Sequence, residues 1–259
     1  CPPHFGANGA DPQFEGFSKL MVYGSRAAHL LSGGVHRADA AILYHADAEW
    51  MNRDGGAMLT QVPAKMLYDA HIDFDILPAD CLLAPEDSDS RIFHAEAKDG
   101  RLCVGKQTYQ CLIVPAAEVL PAKLEEALET LKDDGVLIFR MKPDGNDDLL
   151  PALNVLLDRD ITVDGSFPKL RCCHYTDGTA EIYMFVNESV ADPVHTTVAL
   201  SAAAGLDGGV MLDLLNDDVS VVKTSCGKLQ LDLAPYQSVI VVFDREAYAV
   251  FGLDEKKAW

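Results

Sequence analysis

In the first half of the chain, the residues with the widest chemical reach are His45, Asp47, Glu49 and Trp50. An imidazole and two carboxylates in one short loop can bind a metal or divide acid–base work. Trp50 adds a flat surface on which a sugar ring could stack, or else it covers a sheet edge. A solvated, capped loop contains the same residue types, so the elements around the loop must decide. The loop follows directly on the apolar run Ala40-Ala-Ile-Leu-Tyr44. Such a run suits a strand buried on both faces of a parallel sheet. In open α/β sheets, ligands lie just beyond the carboxyl ends of the strands. His45, Glu49 and Trp50 are therefore the rim candidates.

Three other constellations compete. Asp73 and Asp75 lie on one face of a short strand, with Asp80 just after it. Paired carboxylates are what glycoside hydrolysis uses, but beside His71 they also describe a solvated strand end. In Cys172-Cys173-His174, adjacent strand positions face opposite ways, so the two thiols cannot easily share one ion, and core packing is expected. Neither GxGxxG nor GxxxxGK[ST] occurs. No metal, no cofactor and no catalytic residue is expected.

The elements that would position these groups fall into two runs. Helical spacing covers 12–31, closed by Gly33-Gly34. A strand at 40–45, a helix at 57–70 and a strand at 71–78 come next. A hairpin over 91–109 turns at Lys98-Asp-Gly100. The buried strand Cys111–Pro115, a helix at 121–132 with Pro at its start, a strand at 136–139 and a helix at 147–158 complete the run. This order predicts a doubly wound α/β domain, flavodoxin-like, over residues 1–164. A flavodoxin-like domain of the glutamine-amidotransferase type carries a nucleophilic Cys in a tight turn after a strand. Here the third strand ends Val114-Pro-Ala-Ala-Glu118, with no such nucleophile, and Cys111 inside the strand reads as buried and inert.

After about residue 160 helical periodicity vanishes. Seven short strand candidates follow between Leu170 and Phe243, separated by turns such as Asp177-Gly178 and Asp207-Gly-Gly209. They predict an antiparallel β-sandwich over 165–259.

The net charge of −19 disfavours nucleic acid and anionic membrane as partners, because both select basic patches. No apolar run approaches the roughly 20 residues of a membrane helix. Seven cysteines, an odd number with no CxxC, fit reduced thiols and a cytoplasmic setting better than a disulfide framework. The chain opens Cys1-Pro-Pro rather than with methionine and reads as a segment of something longer. The sequon Asn187-Glu-Ser189 is a short pattern that recurs by chance.

A family likeness joins these pieces. Its residues are Pro2-Pro3-His4-Phe5, Arg26-Ala-Ala-His29-Leu-Leu-Ser-Gly-Gly34, Ala48-Glu49-Trp50, Asp73-Phe-Asp75 and Tyr109-Gln-Cys-Leu-Ile-Val-Pro115. Two later stretches also carry it, Asp177-Gly-Thr-Ala-Glu-Ile-Tyr-Met-Phe-Val-Asn187 and Leu231-Asp-Leu-Ala-Pro-Tyr-Gln-Ser-Val239. The series resembles the C-terminal regions of multidomain glycoside hydrolases, such as the family 42 β-galactosidases with their trimerisation domain and the family 106 rhamnosidases. In those enzymes a catalytic (β/α)8 barrel precedes an amidotransferase-like α/β domain and a β-sandwich. The resemblance implies a non-catalytic segment that supports the barrel of the same polypeptide or a homo-oligomer interface, with carbohydrate as the parent's substrate. A barrel needs about 250 residues of alternating strand and helix, and this chain has no such stretch. Two alternatives stay open: a free-standing small hydrolase, and a carbohydrate-binding module stacking sugars on Tyr175 or Tyr236.

Overall fold

A computed structural model of the chain describes residues 11–52, 56–83, 93–143 and 148–244. The lead-in and the start of the predicted hairpin at Arg91 lie outside the described residues. From the amino end, α1 (Phe14–Leu31) runs into the two-residue strand β1 (Val35–His36), then β2 (Ala40–Tyr44), α2 (Ala46–Met51), α3 (Gln61–Asp69) and β3 (Phe74–Pro78). An antiparallel excursion follows, β4 (Ala95–Lys98), β5 (Arg101–Val104) and β6 (Gln107–Tyr109). The chain then gives β7 (Cys111–Val114), α4 (Ala122–Asp133), β8 (Leu137–Arg140) and α5 (Leu149–Leu156). The remaining elements are strands: β9 (Ile161–Val163), β10 (Leu170–Asp177), β11 (Ala180–Asn187), β12 (Val194–Leu200), β13 (Gly208–Asp213), β14 (Asp218–Ser225), β15 (Lys228–Leu233) and β16 (Ser238–Phe243).

Local chemistry explains most of these elements. All four residues of β7 are buried, as a continuous apolar run at a sheet centre requires. In β15 every second residue is buried, the pattern of a strand with one wet face. In α4 the residues Leu124, Leu128 and Leu131 form one buried stripe, and Gly135 at φ 93° lets the chain leave the helix end. Asp99 at φ 52° and Gly100 at φ 73° make the tight turn that the Asp-Gly pair predicts between β4 and β5.

β2, β3, β7 and β8 form a four-stranded parallel sheet in the order β3-β2-β7-β8. Residues of α3 and α5 pack on one face, and residues of α4 and of the three-stranded sheet β4-β5-β6 pack on the other. Antiparallel structure outweighs it. Nine strands form a single curled sheet in the order β1-β10-β11-β16-β13-β14-β15-β12-β9, wrapped around a core that includes Tyr183, Phe185, Val198, Leu231 and Phe243.

Two expectations are corrected. The chain as a whole is β-rich, and a flavodoxin-like, amidotransferase-like α/β fold does not describe it. The parallel sheet has only four strands among the described residues, and between β3 and β7 the described crossover carries an antiparallel sheet where a doubly wound fold carries a helix. The β-sandwich expected after residue 165 is one continuous sheet. It curls at β14, which pairs with β13 along its length and with β15 only through Thr224 and Ser225. Segments from before residue 165 also join it. β1 pairs with β10, β9 pairs with β12, and Leu30 and Leu31 of α1 pack against its outer face. Tyr23 Oη lies 2.9 Å from Ser238 Oγ, and Arg26 Nη1 donates to the Leu214 carbonyl at 3.0 Å.

Candidate functional site

A dense gathering of ionisable groups lies where the amino edge of the parallel sheet meets β10. β1 belongs to the antiparallel sheet and β2 to the parallel one, and only three residues separate them. The backbone is stitched across this seam. Arg37 N–H donates to the His174 carbonyl at 2.8 Å, Asp39 N–H to the Asp73 carbonyl at 3.0 Å, and Gln110 N–H to the Asp39 carbonyl at 2.9 Å. Residues just before β2, β3 and β7 are thereby brought against the antiparallel sheet.

His36 is held by two carboxylates. Its Nε2 lies 2.8 Å from Asp73 Oδ2 and its Nδ1 lies 3.0 Å from Asp75 Oδ1. Strand alternation puts both aspartates on one face, as the sequence predicts, and the imidazole spans them. Burial works against a charged ring, but the hydrogen bonds to Asp73 and Asp75 overcome it and push the His36 pKa up to about 10. Asp75 is held below the usual carboxylate range. Burial opposes this, and the His36 bond and the Tyr109 hydroxyl donating at 2.8 Å outweigh it.

His174 forms the second bridge and is 2% exposed. Its Nδ1 lies 2.7 Å from Asp160 Oδ2, its Nε2 lies 2.8 Å from Glu181 Oε2, and its ring stacks on Tyr183 at 4.0 Å. Asp160 also accepts from Ser201 Oγ at 2.6 Å and from Tyr183 Oη at 3.3 Å. Burial would raise the Asp160 pKa, but the bonds from His174, Ser201 and Tyr183 prevail and lower it.

Between the two bridges lies Asp39, 5% exposed. Burial and the nearby Asp160 charge push its pKa up to about 6, against the pull of Arg159. Arg159 donates through Nη2 to the carbonyls of Ala70, His71 and Ile161 at 3.0, 2.6 and 3.3 Å. The guanidinium therefore pins the end of α3 to the start of β9.

The carboxyl edge looks different. β2 connects through α3 to one side of the sheet and β7 through α4 to the other, so the switch point where ligands bind in open α/β sheets lies between β2 and β7. The chain itself occupies that point. His45 is fully buried, with Nε2 3.2 Å from the Pro115 carbonyl. Asn52 Nδ2 donates to the carbonyls of Ala48 and Val119 at 2.6 and 2.8 Å, and its Oδ1 accepts from Val119 N–H at 3.0 Å. Glu49 is half-buried on α2, Asp47 is exposed and Trp50 is 78% exposed. The structure thus separates the three rim residues: His45 braces the loop from beneath while Trp50 faces outward. Asp80 is exposed in the turn after β3.

Cys172, Cys173 and His174 alternate as a strand dictates. Cys172 packs against the core of the curled sheet, and His174 enters the polar seam. His174 is buried against the core ring of Tyr183, as core packing expects, and in addition finds partly buried partners in Asp160 and Glu181. Burial raises the thiol pKa of Cys172 and pushes that of Cys173 up to about 12, so neither is a ready nucleophile. No group of three or more His, Cys, Asp or Glu among the described residues could hold a metal ion. Sequence reading missed His36, Asp39, Arg159, Asp160 and Glu181, whose partners are mostly remote in the chain.

The geometry favours a brace over a catalytic pair. Each ring nitrogen of His36 and His174 already faces a carboxylate, so neither imidazole has a nitrogen free to take a proton from a substrate. A glycosidase acid needs a raised pKa and access to the glycosidic oxygen; Asp75 and Asp160 are lowered, and Asp39, raised to about 6, is only 5% exposed with its oxygens turned to Gln110 and Arg159.

No family model matches the chain, and no curated protein sequence matches it. Solved structures do. A rhamnosidase from Novosphingobium sp. PP1Y superposes with a TM-score of 0.61 at 14% identity, over 89% of this chain and 25% of that one. A beta-galactosidase from Bacillus circulans sp. alkalophilus gives a TM-score of 0.47 at 9% identity, over 80% of this chain and 41% of that one. A GH42 beta-galactosidase from G. stearothermophilus gives 0.35 at 12% identity, over 80% and 40%. The likeness is one of fold. This chain spans about a quarter of the length of the rhamnosidase it matches.

Proposed function

We propose that the chain is a non-catalytic segment of a carbohydrate-active glycoside hydrolase, C-terminal to a (β/α)8 barrel on the same polypeptide, where it braces the barrel or a homo-oligomer interface. The observation that carries this reading is the rhamnosidase superposition, which takes in 89% of this chain but only 25% of that enzyme. A unit matched so fully to so small a share of a hydrolase fits the role of an accessory part. The seam supports the same reading, because His36 links the antiparallel sheet to the parallel one, His174 ties β10 to β11 and to the chain entering β9, and neither presents a free nitrogen. Glu49 and Trp50, with His45 beneath them, are the surface this reading assigns to the barrel or the oligomer. A cytoplasmic setting belongs to it as well, since the described cysteines Cys81, Cys103, Cys111, Cys172, Cys173 and Cys226 are all free.

The test is the coding sequence on the Cys1 side, paired with assays of this chain alone on chromogenic aryl rhamnosides and galactosides. The expected result is an in-frame barrel upstream and no turnover by the chain alone. Turnover by the chain that disappears when His45 is replaced would overturn the reading in favour of a small free-standing hydrolase.

A further inference from the structure

A cleft of about 420 Å³ opens on the seam between β3 and the face of β10 and β11. Its volume is within the roughly 300–1,000 Å³ range of small-molecule sites. The floor is apolar and incompletely covered: Cys173 on β10 is directly paired with Met184 on β11, and Val186 lies two residues along the same face. Each end carries an aromatic ring set against a cation. At one end the Arg171 guanidinium sits 5.1 Å from the Tyr68 ring centroid. At the other, Tyr175 stacks on His36 with centroids 4.9 Å apart.

The polar groups narrow the ligand class. Arg171 Nε donates to Glu188 Oε2 at 2.8 Å, and His36 is matched by Asp73 and Asp75. Both cations facing this cleft are thus already paired, by three carboxylates, and an anionic ligand would have to break a pair to enter. A neutral ligand can bridge them. Arg171 offers only donors and Glu188 only acceptors, side by side. Adjacent hydroxyl groups, each able to donate and accept, complement that arrangement. The apolar floor and the tyrosine rings suit the C–H face of a ring bearing those hydroxyls.

We propose that this cleft is a binding site for a neutral sugar ring, with vicinal hydroxyls on Arg171 and Glu188 and the ring face over Met184 and Val186. It is a separate site from the Trp50 loop, and it does not depend on the chain being joined to a barrel. The experiment is an amide NMR titration of the 259-residue chain with L-rhamnose, D-galactose and D-glucuronate, repeated on Glu188→Gln and Arg171→Lys. A neutral monosaccharide is expected to bind at about millimolar Kd, with shifts centred on Cys173, Met184 and Val186. Glu188 is solvent-exposed, so its substitution leaves folding intact, which an unchanged thermal midpoint checks. That variant should weaken Kd roughly tenfold or more, as losing a hydrogen bond to a charged group does. Three results overturn the proposal: no shifts at those amides, shifts confined to the Trp50 loop or to Tyr236, or D-glucuronate binding as tightly as the neutral sugars. Turnover by the chain alone would sink the accessory role and leave this cleft standing, whereas a silent titration does the reverse.

Discussion

Replacing His36 with alanine tests whether the seam holds the two sheets together. The side chain is 13% exposed, and its partners Asp73 and Asp75 are 11% and 32% exposed. A rise in pKa from 6.5 to about 10 means the folded state favours the charged ring by about 5 kcal/mol at 1.36 kcal/mol per pH unit, an upper bound. Removing one partner from a buried ion pair costs about 3–5 kcal/mol by mutational precedent, because the remaining charges are left uncompensated. The two figures agree, and at about 2–4 °C per kcal/mol for a chain of this size the expected fall in Tm is about 10 °C at pH 6–7. The pH dependence carries the diagnosis. A folded-state pKa above the unfolded one contributes stability that is fully present below pH 6.5 and lost as pH rises through about 10. Urea unfolding of wild type and His36→Ala should therefore differ most at pH 6.5 and just below, shrink as pH rises, and converge above pH 10. A difference below about 1 kcal/mol at pH 6.5, or one that stays constant across that window, would refute the reasoning.

Asp39→Asn should act in the opposite sense. Burial and Asp160 push the Asp39 pKa up to about 6, so its charge penalises the folded state above that pH, and the variant should gain about 1–3 kcal/mol at pH 8 and nothing below pH 4 in denaturant titrations. A loss at pH 8 contradicts the assignment. Asn187 is 1% exposed and donates to the carbonyls of Asp192 and Ala234 at 2.9 and 3.0 Å, so Asn187→Ala should cost about 2–4 kcal/mol in chemical unfolding. The same burial predicts an unmodified mass after expression in a glycosylating host, and a glycan at Asn187 would show that strand end to be open. Trp50→Ala should change stability by no more than about 0.5 kcal/mol, because the ring is 78% exposed. A larger loss would mean the indole packs on the fold itself.

Elements whose information is local could be read from the sequence. The buried run of β7, the Leu124–Leu128–Leu131 stripe of α4 and the Asp99-Gly100 turn each carry their signal within a few residues. So does the switch to strands after residue 160, where side-chain alternation is set by strand geometry. The paired placement of Asp73 and Asp75 follows from the same rule, but not its meaning, because the cation between them is 37 residues from the first and 39 from the second.

Composition and periodicity settled that the chain folds with buried strands, that Asp73 and Asp75 share a face and that Cys111 is an inert core thiol. Only the tertiary structure decided which way the sheets close and where the ionisable groups meet. β1 has two residues, too few to show a period, yet its pairing with β10 docks one sheet on the other and carries His36 to its aspartates. His174 finds Asp160 and Glu181 because β10 and β11 pair antiparallel beside the chain entering β9. A hydrogen bond between side chains remote in sequence leaves no periodic trace, so these contacts exist only once the sheets are packed.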